Sequence, residues 1–177
     1  MNRNHLLLGA TGLVSLLAGF MLFNLLDTDR TTGKQVTGQE IALKSIPLTD
    51  LDGTQTLLGD WEGKILVINF WAPWCAPCRR EIPALLEVQR SYAADQVRIL
   101  GIAFDGEAQV RRFAAEYGID YPLFLAGNRS AMYNAAFVNP SGSLPYTALL
   151  GPKRNIIFQH NGELSVQQLR EQLQALL

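Results

Sequence analysis

The sequence is poor in the residues that build metal sites and disulfide frameworks. It holds two cysteines and two histidines in 177 residues. An exported fold stapled by disulfides carries several cysteines spread along the chain. Here the two sit at positions 75 and 78, so a bridge between them closes a very small ring. Such a ring removes little chain entropy from the unfolded state. The pair therefore points to redox chemistry rather than to stability. An excess of one charge is also missing, since 15 Lys and Arg stand against 16 Asp and Glu. No basic patch speaks for nucleic acid. No block of like charge suggests a disordered tail. Internal repeats and low-complexity tracts are absent as well.

What is present begins with an apolar run. Leu6 to Leu26, LLLGATGLVSLLAGFMLFNLL, carries no charged residue. As a helix it spans about 30 Å, the hydrocarbon thickness of a bilayer. Arg3 precedes it, and Asp27 and Asp29 with Arg30 follow it. That bias puts residues 1–5 in the cytoplasm, 6–26 across the membrane and the rest outside. The length favours an uncleaved signal anchor over a cleaved signal peptide, whose apolar core is shorter. Leu17-Ala18-Gly19 begins like a lipoprotein site, but Phe20 stands where the lipidated cysteine belongs. Residues 27–40 are polar and read as a flexible spacer.

A compact domain is expected over 41–177. Asp52-Gly53 lies between two short apolar stretches, which suggests a hairpin. Ile65 to Trp71, ILVINFW, reads as a central strand buried on both faces. A helix is expected over Ala76 to Tyr92, a second buried strand over Val97 to Phe104, and a helix over Glu107 to Tyr117 stopped by Gly118. Tyr121 to Leu125 reads as a short strand and Ser130 to Phe137 as a short helix. Asn139 to Pro145 is a loop. Tyr146 to Leu150 and Asn155 to His160 follow as two strands joined at Gly151-Pro152, and Asn161-Gly162 breaks the pattern. Ser165 and Gln168 match a capping box for a last helix, with Val166, Leu169, Leu173 and Leu176 on its inner side. This order gives an α/β fold with a mixed sheet flanked by helices.

The chemistry lies in residues 70–83, FWAPWCAPCRREIP. A cysteine at the first turn of a helix faces unpaired N–H groups and the positive end of the dipole. Both favour the thiolate. Cys75 is expected as the exposed nucleophile and Cys78, one turn in, as the shielded partner that resolves a mixed disulfide. Pro77 suits the first turn, where no N–H is needed. Arg79 and Arg80 add positive charge nearby unless their side chains point away into solvent. Trp71 reads as core, and Trp74 as part of a docking surface.

This segment resembles the active site of the thioredoxin superfamily. More narrowly, it is similar to the membrane-anchored TlpA/ResA/DsbE-type thiol-disulfide oxidoreductases. Leu48 to Trp61 with Gly63-Lys64, Pro83, Leu144-Pro145-Tyr146-Thr147 and His160 to Leu164 resemble further segments of that family. The resemblance implies a thioredoxin-like fold over 41–177 with an added N-terminal hairpin. It implies a cis Leu144–Pro145 bond beside the cysteines, and backbone there that pairs with a substrate chain. Together with Trp74, Ala76 and Pro77, Leu144 and Pro145 then form the substrate-binding surface. Glu81 matches an acidic residue that tunes the thiols and moves protons; otherwise it is a solvated surface carboxylate. Asn69 departs from the buried acid of cytosolic thioredoxins. Tyr146 departs from the common threonine, which bears on which partners dock. The implied activity is reduction of disulfides in a substrate protein outside the cytoplasm, in cytochrome c maturation. A membrane thiol-disulfide carrier re-reduces the pair, no cofactor is needed, and the protein is a monomer.

Other readings fit less well. Zinc wants about four ligands, and beyond the cysteines there are only His160 and His5, the latter before the membrane span. Covalent haem needs a histidine where Arg79 stands. Copper delivery would rest on His160 alone. The remaining rival is a non-catalytic binding module on the same fold.

Overall fold

A computed structural model describes residues 42–61 and 64–177. The expected cytoplasmic start, membrane anchor and spacer lie outside the described residues. Among the described residues no helix is long and apolar enough to cross a membrane.

Strands β1 (Pro47–Thr49) and β2 (Gln55–Leu57) form the expected antiparallel hairpin around Asp52-Gly53. Asp50 closes its turn by accepting from the N–H groups of Asp52 and Thr54 at 2.9 and 2.8 Å. Gly53 holds φ at 81°, a conformation that a side chain disfavours. A 3-10 turn, Leu58–Trp61, leads towards the main sheet.

That sheet has five strands. They are β3 (Ile65–Trp71), β4 (Val97–Ala103), β5 (Leu123–Leu125), β6 (Tyr146–Leu150) and β7 (Ile156–Asn161), in the order β5-β4-β3-β6-β7. β3, β4 and β5 run parallel, while β6 and β7 are antiparallel additions. The parallel strands are linked by helices: α1 (Ala76–Ser91) from β3 to β4, and α2 (Glu107–Tyr117) from β4 to β5. Helix α3 (Ser130–Ala136) precedes the loop into β6, and α4 (Val166–Gln174) closes the chain.

Every residue of β3 is buried, which explains its unbroken apolar sequence. Alternate side chains enter two cores. Ile65, Val67 and Trp71 face α1, α2 and α4, where Ile82, Leu85, Val110, Phe113, Leu169 and Leu173 meet them. Leu66, Ile68 and Phe70 face the hairpin and α3, against Leu48, Leu58, Tyr133 and Phe137. Full burial of each such side chain is worth roughly 1.5–3 kcal/mol.

Helix ends follow their sequence signals. Gly118 ends α2 with φ 64° and donates to Ala114 O. Ser165 and Gln168 form the capping box at the start of α4, with Gln168 N–H to Ser165 Oγ at 3.3 Å and Ser165 N–H to Gln168 Oε1 at 2.9 Å. Ser165→Ala should cost about 1 kcal/mol in urea unfolding, because the N–H of Gln168 loses its side-chain acceptor.

Two expectations shift. Leu176 is not on the inner face of the last helix; it is exposed, because α4 ends at Gln174. The last strand runs through Asn161, which pairs with Tyr146, so Asn161 extends the ladder rather than breaking it.

Candidate active site

Cys75 is the N-cap of α1, with extended backbone (φ −82°, ψ 106°) directly after the end of β3 and a short turn. Ala76 and Pro77 open the helix, so the missing N–H of Pro77 costs no hydrogen bond. The two sulfurs are joined at 2.03 Å. Cys75 Sγ also accepts from the Cys78 N–H at 3.3 Å. A thiolate at this position would meet the same N–H and the positive end of the helix dipole.

Contrary to expectation, Cys75 is not openly exposed. It retains 5 % of its accessible surface against 1 % for Cys78. The remaining accessibility of the pair lies on the side of Cys75. Trp74, immediately before it, is 68 % exposed.

Both arginines are engaged by side chains other than the cysteines. Arg79 Nε donates to the Tyr117 hydroxyl at 3.0 Å, with the guanidinium 5.7 Å from that ring. Arg80 pairs with Glu163 at 2.8 Å. The helix terminus is the local feature that favours a thiolate at Cys75.

Beside Trp74 lies a groove of about 540 Å³, bordered by Phe104, Asp105, Gly106, Gly142 and Leu144 among others. Leu144–Pro145 is cis. Pro145 is buried, and its carbonyl accepts from the Gly162 N–H at 2.8 Å. The loop ahead of it is organised by Asn139, which is fully buried and donates to Ser143 O at 3.1 Å. Ala76 is exposed and Pro77 half-buried. Trp74 and Leu144 thus share one groove, and Ala76 and Pro77 lie on the helix tip.

Tyr146 is not a surface residue. It is 1 % exposed, its hydroxyl donates to Phe137 O, and its ring lies 5.5 Å from that of Phe70. It faces the core on the α3 side of the sheet, so it has no direct part in docking.

Glu81 is not a solvated surface carboxylate either. It is 1 % exposed, one turn along α1 from Cys78. Its Oε1 accepts from the Leu164 N–H at 3.1 Å and its Oε2 from Asn69 Nδ2 at 3.2 Å. Burial pushes its pKa up to about 7 from 4.5; these two hydrogen bonds oppose the shift, and the charge of Glu163 adds to it. Asn69 also donates to Thr147 Oγ1 at 3.1 Å. Reading the sequence for single positions missed this connection. The signal was present only as strand register, since Thr147 stands directly across from Asn69.

Residues 37–159 match the sequence profile of the AhpC/TSA family. The chain belongs to the AhpC/TSA family. Among characterised relatives, the thioredoxin-like protein YneN of Bacillus subtilis is 32 % identical over 91 % of this chain and 93 % of its own. The thiol-disulfide oxidoreductase ResA of Bacillus anthracis is 29 % identical over 100 % of this chain and 97 % of its own. Among solved structures, a thioredoxin-related protein from Neisseria meningitidis serogroup B matches with a TM-score of 0.66 and 27 % identity, covering 72 % of this chain and 96 % of that one. StoA from Bacillus subtilis shares the fold at a TM-score of 0.59, with 20 % identity over 71 % of this chain and 93 % of its own. The thioredoxin-like fold and the kinship with ResA-type proteins expected from the sequence are both met.

Proposed function

We propose that this chain is a thiol-disulfide oxidoreductase that reduces disulfides of substrate proteins outside the cytoplasm. One observation carries the proposal: a Cys75–Cys78 pair closed as a disulfide at the N-terminus of α1, with Cys75 as the cap. In the reduced protein, the Cys75 thiolate attacks one sulfur of a substrate disulfide and expels the other as a thiolate. Cys78 loses its proton and attacks Cys75 Sγ, which expels the second substrate sulfur. Two electrons leave the pair, the substrate gains two thiols, and Cys75–Cys78 becomes a disulfide. The pair itself carries the electrons, so no further cofactor is required. Glu81, buried one turn along α1 from Cys78 with its pKa raised by burial to about 7, takes or returns the proton of that step in this reading.

The wider plan rests on the sequence. Residues 6–26 anchor the chain, 27–40 form a spacer, and the catalytic domain, acting as a monomer, faces the oxidising side of the membrane. A membrane thiol carrier re-reduces it. The kinship with ResA supports apocytochrome c cysteines as a substrate class.

The test is exchange between the reduced protein and a disulfide-bearing polypeptide, with the potential read from equilibration against glutathione. A strongly reducing potential supports the reductant assignment. Retained substrate binding without any exchange would instead identify a binding module.

Trp74 offers a separate check. Its exposed ring beside the groove is suited to a polypeptide and gives little to a small reagent. Trp74→Ala should slow reduction of a protein disulfide about tenfold, the equivalent of roughly 1.4 kcal/mol of docking energy. Reaction with a small aromatic disulfide should stay within a factor of about two.

A further inference from the structure

We propose that Asn69 is a positioning residue that accommodates Glu81 in both protonation states by turning over its side-chain amide. The proposal rests on the reading that Glu81 exchanges a proton during thiol chemistry.

Asn69 is fully buried in the middle of β3, on the face that carries Val67 and Trp71 towards α1. Its strand neighbours are Thr147 on β6 and Gly101 on β4, the second of which has no side chain. Both hydrogens of Nδ2 are used, one on Glu81 Oε2 at 3.2 Å and one on Thr147 Oγ1 at 3.1 Å. Oδ1 is buried and has no hydrogen-bond partner among the described residues.

This orientation suits an ionised Glu81. Each carboxylate oxygen then faces a donor, the Leu164 N–H on one side and Asn69 Nδ2 on the other. A proton on Glu81 changes the requirement, because one oxygen becomes a donor. The Leu164 N–H can only donate, so the proton belongs on Oε2. There it would meet Nδ2, donor against donor. A half-turn about the Asn69 Cβ–Cγ bond exchanges Nδ2 and Oδ1, which are nearly equal in size. Oδ1 then accepts from the Glu81 carboxyl and from the Thr147 hydroxyl, which can serve as donor or acceptor. Neither an aspartate nor a leucine at position 69 could serve both states. The ionised aspartate would repel the carboxylate, and leucine offers no polar atom.

Around Glu81 the Cys78 thiol also exchanges a proton in the proposed chemistry, while the remaining ionisable groups are paired or held neutral. Glu163 opposes its ionisation but is paired with Arg80. Tyr121 is buried, and the charge of Glu81 raises its pKa further. Asp120, beside it, is paired with Arg90. Cys78 precedes Glu81 on the same helix.

The test is the pH dependence of Cys75 alkylation in the reduced full chain, held in detergent micelles. Glu81→Gln should remove one inflection near neutrality. Asn69→Leu should move that same inflection up by about one pH unit or more, a tenfold loss of acidity, because the carboxylate loses a donor. In the Glu81→Gln background Asn69→Leu should change nothing further in the profile. An Asn69→Leu profile that superimposes on the wild type overturns the proposal. A measurement on the unaltered protein decides the case if Asn69→Leu does not fold. The two side-chain amide protons of Asn69 should shift in NMR spectra with the same midpoint as the Glu81 carboxyl carbon. Amide shifts that stay constant while Glu81 titrates would sink the idea. Absence of any disulfide exchange in the wild type would defeat the proposed function instead, and the NMR titration would still decide the role of Asn69.

Discussion

Cys75→Ser is expected to abolish disulfide exchange, whereas Cys78→Ala is expected to stop after one step and hold the substrate covalently. The asymmetry follows from position on α1. Cys75 is the cap, accepts a helix N–H, and keeps the little accessibility the pair has. A serine there would keep the capping hydrogen bond and the fold. Its hydroxyl stays protonated at neutral pH and cannot attack sulfur, so the rate should fall by at least about a thousandfold. Cys78 is 1 % exposed and sealed behind its partner. Without it, Cys75 can still form the mixed disulfide, but nothing adjacent can resolve it. Non-reducing electrophoresis of Cys78→Ala after incubation with an oxidised polypeptide should show a stable adduct that dithiothreitol releases. Equal trapping by Cys75→Ala and Cys78→Ala would contradict the assigned order. The trapped adducts from Cys78→Ala would also identify natural substrates.

Much of this arrangement was legible in the residues. ILVINFW read as a strand buried on both faces, and the cysteine pair after it as the start of a helix. Ser165 with Gln168 and Gly118 marked helix ends because their roles are local. What could not be read depended on contacts far apart in sequence. Glu81 was recognisable at one turn from Cys78, but its burial needs Leu164, which is 83 residues away, to supply an N–H. Arg79 and Arg80 looked like charge for the thiols until Tyr117 and Glu163 claimed them. Tyr146 was misplaced because all of β6 is buried, so no alternation of polar and apolar residues shows which face each side chain takes. The exposure of Cys75 was overestimated for a related reason: a helix cap is open to solvent in an isolated helix, whereas here Cys75 belongs to the buried cluster with Trp71, Ala72 and Cys78.

The buried carboxylate of Glu81 makes stability depend on pH with a definite sign. In the unfolded chain it titrates near 4.5, and in the folded protein at about 7. The native state therefore holds its proton more tightly than the unfolded one. Below 4.5 both states carry it and the full stability is present. As pH rises through the interval the native state must give up a proton that burial favours, and above 7 the cost is complete. That cost is roughly 3 kcal/mol, a large share of the stability of a domain this size. Glu81→Gln stays neutral throughout. Its amide oxygen can accept the Leu164 N–H, and its NH2 can donate to Asn69 Oδ1. Urea unfolding of the oxidised chain at pH 5 and pH 8.5 should show the wild type losing about 2.5 kcal/mol more than Glu81→Gln across that interval, part of the cost being already present at pH 5. Parallel losses in the two proteins would mean that Glu81 ionises in the folded state as freely as in solution. The direction also bears on catalysis. A carboxyl that costs the fold energy when ionised is, near neutral pH, poised between giving and taking a proton, and the thiol that must lose one is a single helical turn away.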